Sequence, residues 1–387
     1  MTPRTALTPA QITAPSALHE LGVRFAQTAA QQRPPLLTHG VVSPAAAFVS
    51  VIIPVRNERA FIATCLDSVL ENGYPLDRLE ILAVDGASED GTRSVLEAYA
   101  RRFAAVRVVD NPKTITPVAL NLGIERARGE VIVRLDAHAR IAPGYLTQCV
   151  AWLETSGAAN VGGVMRTLPQ GKGLLAEAIA VALSHRFGVG NSAFRTSSAK
   201  PRWVDTVFGG CYRREVFYCV GGFNERLPRG QDLEFNLRLK RAGGRTLLVP
   251  SIRCDYFART GLIAFLRHNW TNGVWAVRPF FESEIVPVRP RHLVPFLFVV
   301  TLGAALAAAC WPAVGSGPVL ALGSCYLGVA LGASALAAWS KHDARFLVAL
   351  LAVFLSLYLA YGLGSLWGLA GGIRERLRKI IASADQA

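Results

Sequence analysis

From Leu293 to Ser340 the chain carries no charged side chain, a stretch that few water-soluble folds can hide. Pro312 and Pro318 divide it into two pieces of about twenty residues, the length one bilayer crossing needs. The stretch therefore predicts a hairpin of two membrane helices. A second uncharged run, Phe346 to Ile373, is long enough for one tilted span and too short for two. A buried core helix is the alternative for that run. The flanking charges set up a conflict. Two crossings return KHDAR (341–345) to the starting side, as the positive-inside rule prefers, whereas a third sends RERLRK (374–379) across against it. Either the last run is re-entrant or the C-terminal segment breaks the rule.

The 387 residues are 51% hydrophobic and carry a formal net charge of +14, too long and too apolar for one small soluble domain. Nucleic acid is a poor partner for this charge, because no aromatic RNA-binding signature or basic recognition helix accompanies it. Much of the charge lies beside the apolar runs, which suits anionic lipid or phosphorylated substrates. Seven cysteines stand without CxxC spacing, which argues against a zinc site or a disulfide framework and for reduced cytosolic thiols. Residues 1–47, rich in Ala, Thr, Pro and Gln, lack the apolar centre of a signal peptide and predict a disordered tail.

Between these regions, strand-like and helix-like segments alternate. FVSVIIPV (48–55), LEILAVD (79–85), VRVVDN (106–111) and EVIVRLD (130–136) are short apolar runs rich in β-branched residues. Helical spacing links them over Ala60–Leu70, Thr92–Phe103 and TPVALNLGIERARG, the last with Thr116 as N-cap, Pro117 at the first helical position and Gly129 as stop. This alternation predicts an α/β domain with a mostly parallel sheet covered on both faces.

Ligands in such sheets bind beyond the carboxyl ends of the strands, and here those ends are polar: Arg56, Asn57 and Glu58, then Asp85, then Asp136 and His138. Alternate residues of an extended segment share a face, so Asp136 and His138 are spaced to converge on one ligand. A strand-end cap at Asp136 with a solvated His138 is the competing reading. Neither GxGxxG nor GxxxxGK[ST] occurs, so a phosphate site here is built from carboxylates and implies a bridging cation.

Taken together, SVIIPVRNE, AVDGASEDGT, ALNLGIERARGEVIVRLDAHA, VDTVFGGCYRREVFYCVGGFNE and RGQDLEFNLRLKRAGG resemble family 2 glycosyltransferases of the GT-A fold. The resemblance covers about residues 48–275. Within the family the chain is most similar to membrane-anchored glucosyltransferases of succinoglycan-type exopolysaccharide synthesis. It implies that Pro54, Arg56 and Glu58 line the nucleoside pocket and that Asp85 contacts the base. Asp136 stands at the first acid of the family's Asp-x-Asp, and His138 replaces the second, the usual ligand for Mn2+ or Mg2+; an imidazole favours manganese. Gln231 replaces the first acid of the Glu-Asp motif, and Asp232 matches the catalytic base that an attacking hydroxyl requires. One carboxylate serves a single inversion, and Glu234 is poorly placed as a second. Gly209 and Gly210 either admit backbone to the donor sugar or form an ordinary turn, and Asp205 is a weaker donor-sugar candidate.

Farther on, FLRHNWTNGVWAV (265–277) contains Arg267, His268 and Trp270 but no intact Gln-x-x-Arg-Trp, the signature of processive synthases. It predicts an interfacial helix that also walls the acceptor site, with Trp270 and Trp275 at headgroup level. Arg259, Arg267, Arg278, Arg289 and Arg291 are either ligands for lipid phosphates or positive flanks that orient the helices. The expected organisation is a tail to residue 47, a catalytic domain over 48–260, interfacial helices over 261–292, membrane segments over 293–373 and a basic tail over 374–387. The expected activity is inverting transfer from a nucleotide diphosphate sugar, UDP-linked, to a polyprenyl-linked acceptor at the cytosolic face of the inner membrane, alongside other polysaccharide-assembly proteins. A polyprenyl-phosphate sugar transferase and a non-catalytic scaffold that binds sugar nucleotide are the alternatives.

Overall fold

The computed structural model describes residues 47–196, 199–259 and 261–384. The tail expected over 1–47 falls, apart from Ala47, outside the described residues. Two compact units emerge, one formed by the chain up to Arg166 together with Ser197–Tyr256, the other by Thr167–Thr196 together with Phe257–Ala387.

The first unit begins with the expected alternation: β1 (Val49–Val55), α1 (Ile62–Leu70), β2 (Leu79–Asp85), α2 (Thr92–Arg102), β3 (Val106–Asp110), α3 (Thr116–Arg126) and β4 (Val131–Arg134). β1, β2 and β4 are almost wholly buried, as β-branched strands covered on both faces must be. They pair in parallel in the order β3-β2-β1-β4, with Val55 level with Asp85 and Asp85 level with Asp110. The parallel strands thus end together and bring their polar residues to one edge. α3 corrects the expected cap: Ile115 precedes the helix, Thr116 is already inside it and makes no capping bond, and the helix ends at Arg126. At Gly123 an added Cβ would lie 2.4 Å from Ile52 Cγ2, so only glycine lets α3 settle this closely on β1.

Beyond β4 the sheet becomes antiparallel. β5 (Ala139–Ile141), α4 (Tyr145–Thr155) and β6 (Asn160–Pro169) are followed, after an excursion into the second unit, by β7 (Arg202–Val204), β8 (Phe208–Arg213), α8 (Glu215–Val220), α9 (Gln231–Arg241) and β9 (Thr246–Ala258). The full order is β3-β2-β1-β4-β8-β6-β9-β5, with β7 on β9. β8 is antiparallel to both β4 and β6, and β5 and β7 are antiparallel to β9. The parallel part is therefore confined to residues 49–134, and the sheet is mixed. α9 is anchored by Phe235, fully buried among the rings of Tyr212, Phe217 and Phe223 at centroid distances of 5.3, 5.2 and 4.7 Å.

At the amino ends of the strands, Glu80 is buried but satisfied. It accepts from Ser50 Oγ (2.6 Å) and from Arg128 N and Nε (2.5 and 2.9 Å), and pairs with Arg107 (3.2 Å), while Ser50 Oγ accepts from Gly129 N. Burying a charge on these terms closes the loop after α3 over β1.

The second unit holds α5 (Leu174–Ala182), α6 (Arg186–Val189), α7 (Ala193–Thr196), α10 (Leu262–Val277), α11 (Pro279–Glu282), α12 (Pro290–Ala309), α13 (Gly317–Lys341) and α14 (Arg345–Ala384). The expected boundaries change here, because residues 167–196 group with the C-terminal helices, and beyond the end of β6 at Pro169 they leave the sheet. Ala178, Ile179 and Ala182 share a buried cluster with Leu350, Val353 and Phe354. The expected basic tail continues α14 as helix through Ala384. α12, α13 and α14 are each long and apolar enough to cross a membrane.

Phe235→Ala is expected to cost about 3–5 kcal/mol, the usual range for emptying a packed aromatic site. Thermal unfolding of the detergent-solubilised protein checks this as a lowered Tm.

Candidate active site

β4 delivers the chemistry. Its last residue, Arg134, has a side chain only 10% exposed, and one guanidinium reaches two carboxylates. Nη2 donates to Asp136 Oδ1 at 2.8 Å, and Nη1 lies 3.3 Å from Asp232 Oδ2. Asp136 comes from the strand end and Asp232 from the first turn of α9, after the left-handed Gly230 (φ 77°). A carboxylate in the first turn also meets the favourable end of the helix dipole. The two acids matched from sequence therefore belong to one cluster.

Their electrostatics are coupled. Burial raises the Asp232 pKa, Arg134 pulls it down, and the Asp136 carboxylate pushes it up, leaving it above the ordinary range for aspartate. Burial alone would make the Arg134 guanidinium easier to deprotonate, but the two carboxylates outweigh it and hold the charge firmly. Glu234, two residues beyond Asp232, is buried with both oxygens held by Arg238, at 2.7 and 2.9 Å. It is not available as a nucleophile.

His138 faces Glu58, with Nδ1 3.1 Å from Oε1, and its ring meets Tyr256 edge-on at 4.8 Å. Burial by itself lowers the imidazole pKa. The Tyr256 phenol, the Glu58 hydrogen bond and the charges of Asp136 and Glu58 outweigh it and push the value up to about 10. Coordination of a metal by His138 therefore requires release of a proton. Glu58 is set by its own backbone: its N–H donates to Thr92 Oγ1, and its carbonyl accepts from Phe61 and Ile62 at the start of α1.

Pro54, Arg56, Glu58, Asp136 and His138 line one cavity of about 170 Å3 beyond the strand ends. Gly86, Asn111, Thr114 and Thr116 also line it; the first three were not singled out from sequence, and Thr116 was read only as a helix cap. Asn111 is buried, and its Oδ1 has no hydrogen-bond partner. Asp85 reaches the same strand edge but shapes the loop after β2: Oδ1 accepts from Ser88 N and Oγ (3.2 and 2.6 Å), and Oδ2 lies 3.6 Å from Arg93.

Gly209 and Gly210 lie within β8, in neither a turn nor the cavity lining. A Cβ at Gly209 would sit 3.2 Å from both the Arg134 carbonyl and Tyr145 Oη, and one at Gly210 would meet Tyr212 Oη at 2.6 Å. Close strand packing accounts for Gly210, and Gly209 adds a left-handed backbone (φ 62°) that favours glycine. Asp205 lies between β7 and β8 and is not among the lining residues. Arg134 went unread because VIVRLD scans as strand; the available signal was one arginine among buried apolar residues, which calls for an acidic partner.

Arg259, Arg267, His268 and Trp270 belong to the second unit. There Arg267 and Trp270 line an apolar groove of about 500 Å3 with Ile263, Leu266, Leu359 and Leu363.

Residues 50–221 match the family described as Glycosyl transferase family 2. The chain carries a family 2 glycosyltransferase domain. It is 29% identical to the succinoglycan biosynthesis protein ExoA of Rhizobium meliloti (strain 1021), over 68% of this chain and 79% of that one. It is 28% identical to the dolichyl N-acetyl-alpha-D-glucosaminyl phosphate 3-beta-D-2,3-diacetamido-2,3-dideoxy-beta-D-glucuronosyltransferase of Methanococcus voltae, over 58% and 72%. Among solved structures, the mannosyltransferase PcManGT of Pyrobaculum calidifontis, in complex with GDP-Man and Mn2+, superposes with a TM-score of 0.55 over 91% of this chain and 96% of that one, at 22% identity. That likeness concerns the fold: the glycosyltransferase domain here has the mixed α/β sheet of the GT-A enzymes.

In this glycosyltransferase, Arg134→Met removes the shared counter-charge and leaves Asp136 to act on Asp232 alone. The Asp232 pKa then rises, so activity that needs the deprotonated carboxylate is lost at a higher pH on the acid side. The expected outcome is an acidic limb of kcat/KM displaced to higher pH and a lowered Tm, checked by pH–rate profiles and thermal unfolding.

Proposed function

We propose that the protein moves one glycosyl group, with inversion at C1, from a nucleoside diphosphate sugar to a hydroxyl of a lipid-linked acceptor, in cell-surface or exopolysaccharide synthesis. The observation that carries this reading is the single guanidinium shared by Asp136 and Asp232. It brings the strand-end acid on the donor side and a proton acceptor for the attacking hydroxyl into one cluster. Asp232 takes that proton as the acceptor oxygen bonds to C1; the bond from C1 to the phosphate oxygen breaks, and the nucleoside diphosphate leaves. Arg134 holds Asp232 in place and offsets negative charge as the diphosphate departs. Glu234 is committed to Arg238 and Asp136 is assigned to the donor's diphosphate side, which favours single displacement with Asp232 as base.

Pro54, Arg56 and Glu58 are assigned to the nucleoside end of the cavity, with Asp85 supporting its rim. A UDP-linked donor is the first to test. Asp136 and His138 would hold a divalent cation, manganese or magnesium. Glu58 on Nδ1 is the kind of carboxylate partner that orients a ligating histidine, leaving the other ring nitrogen for the ion. Among the described residues no group of three or more His, Cys, Asp or Glu is placed to hold an ion, so donor oxygens are needed to complete the coordination. When bound, the ion would supply positive charge to the leaving diphosphate.

The lipid-linked acceptor rests on the apolar groove beside Arg267, on the helices able to enter a bilayer, and on the dolichyl N-acetyl-alpha-D-glucosaminyl phosphate in the name of the Methanococcus voltae relative. A polyprenyl chain suits such a groove, with Arg267 for its phosphate. The catalytic unit is assigned to the cytosolic face of the inner membrane, where nucleotide sugars are made.

Asp232→Asn is expected to lower transfer by about 10²–10⁴-fold, the usual worth of a general base, while nucleotide binding persists. Radiolabelled sugar transfer to lipid extract, beside calorimetric nucleotide binding, checks this; full activity would remove the base assignment. A polyprenyl-phosphate acceptor would need less help from a base and would show a milder defect. Chelation of divalent ions, or His138→Ala, is expected to weaken donor binding, and an unchanged affinity would remove the metal assignment. Leu359→Trp, which fills the groove, is expected to raise KM for the lipid acceptor and leave donor hydrolysis unaltered.

A further inference from the structure

Asn236 lies inside α9, one turn beyond Asp232, and is 3% exposed. Leucine or alanine serves such a position better, because asparagine is among the poorer helix formers and brings an amide that must find partners when buried. The partners are there. Asn236 Oδ1 accepts from Asn160 Nδ2 at 2.9 Å and from Thr246 Oγ1 at 3.4 Å, and its Nδ2 donates to Thr206 Oγ1 at 3.2 Å. Asn160, Thr206 and Thr246 are themselves buried. Asn160 opens β6, Thr246 opens β9 and Thr206 precedes β8, so one side chain ties α9 to three separate segments of the first unit.

These bonds fix the rotation of α9 about its own axis. Asn236 stands about 40° around the helix from Asp232, so the two side chains leave the same face. Phe235, on the other flank of that face, contributes apolar contacts, which lack the angular preference of a hydrogen bond. Arg238 donates to the Gly222 carbonyl at 2.7 Å, which ties the helix to the loop that leads into it and not to the sheet. β6 and β9, by contrast, belong to the sheet that carries Arg134 at the end of β4. Asn236 therefore sets α9 against the same frame as the guanidinium that Asp232 meets at 3.3 Å. The tolerance there is small. Side-chain atoms of a helix lie about 5–6 Å from its axis, so a rotation of about 10° carries the Asp232 carboxylate about 1 Å. A misplacement of that size costs up to about 10²-fold in rate.

We propose that Asn236 is a positioning residue for the transfer: it holds α9 at the rotation that presents the Asp232 carboxylate to Arg134 and to the acceptor hydroxyl. The proposal rests on Asp232 as the base. A fully bonded polar cluster of this kind rigidifies the elements it joins. Asn236 is not among the residues that line the donor cavity, so its loss is expected to act on kcat and to spare nucleotide affinity.

The test is a double-mutant cycle on the full chain in detergent, with Asn236→Leu made alone and beside Asp232→Asn. Radiolabelled sugar transfer to lipid extract gives kcat and the donor KM, and calorimetry with UDP gives nucleotide affinity. Alone, Asn236→Leu is expected to lower kcat about 10–100-fold and to leave the donor KM and UDP affinity within about twofold. Beside Asp232→Asn the same change is expected to lower kcat less than about twofold, because the proton acceptor it positions is gone. An equal loss in both backgrounds, or a UDP affinity that falls with kcat, overturns the proposal. Full activity of Asp232→Asn alone overturns it by a different route, through the base assignment. Should Asn236→Leu fail to fold, Thr206→Val removes only the acceptor for Nδ2 and keeps the side-chain shape. It is expected to lower kcat about 3–10-fold, a smaller loss because both bonds to Oδ1 remain, and to have no effect beside Asp232→Asn. An unchanged kcat for Thr206→Val would then overturn the proposal.

Discussion

The guanidinium of Arg134 between Asp136 and Asp232 is the contact on which the candidate site depends. Two carboxylates drawn together in a partly buried place repel each other, and a diphosphate approaching them adds negative charge. One cation reaching both acids makes the arrangement stable before any ligand arrives. The topology determines where this occurs. β4 pairs in parallel with β1 on one side and antiparallel with β8 on the other, so its carboxyl end lies where the sheet changes direction. The loop leaving β4 carries Asp136 and His138 past α1, whose start is fixed by Glu58. The end of β4 thus supplies Arg134, Asp136 and the imidazole, the end of β1 supplies Glu58, and α9 supplies Asp232.

The two ends of the same strands use similar residues to opposite effect. At the amino end, Glu80 is completely buried and surrounded by donors from Ser50, Arg107 and Arg128. At the carboxyl end the polar atoms are incompletely satisfied: Asp232 Oδ1, Arg134 Nε and Asn111 Oδ1 are buried without a hydrogen-bond partner. Each such atom costs on the order of 1–3 kcal/mol relative to a satisfied one. A fold accepts that cost most readily where a ligand brings the missing partner. The contrast separates a structural clasp from a reactive site without appeal to residue type, since both are built from an acid and arginines.

Much of this was legible in the sequence where the physics is local. β2 occupies the expected residues, and β1, β3 and β4 differ from expectation only at their ends, because β-branched runs between helical patterns have few alternatives. The convergence of Glu58, Asp136 and His138 followed from strand ends that a parallel sheet must align. Non-local pairings were not legible. β8 and β9 meet partners that short-range patterns do not specify, and the apolar LLAEAIAVA of α5 leaves the sheet for Leu350, Val353 and Phe354, far along the chain. Gly209 shows the same limit. Its role depends on the Arg134 carbonyl and Tyr145, neither of which its neighbours in the chain disclose.

The second unit brings its helices together by backbone contact. A Cβ at Gly273 would lie 1.9 Å from the Tyr361 carbonyl oxygen, one at Gly364 would lie 2.2 Å from that of Trp270, and one at Gly368 would lie 2.6 Å from that of Val274. Glycines from both helices thus allow α10 and α14 to approach more closely than side chains permit. The close approach removes most freedom for α10 to roll or slide on α14, and it leaves Ile263, Leu266, Arg267 and Trp270 to line the groove. A groove of this composition, apolar along its length with one cation, matches a lipid phosphate better than a free sugar, which would need many more polar partners. Because its two walls are locked together, a displacement of α14 also displaces the groove.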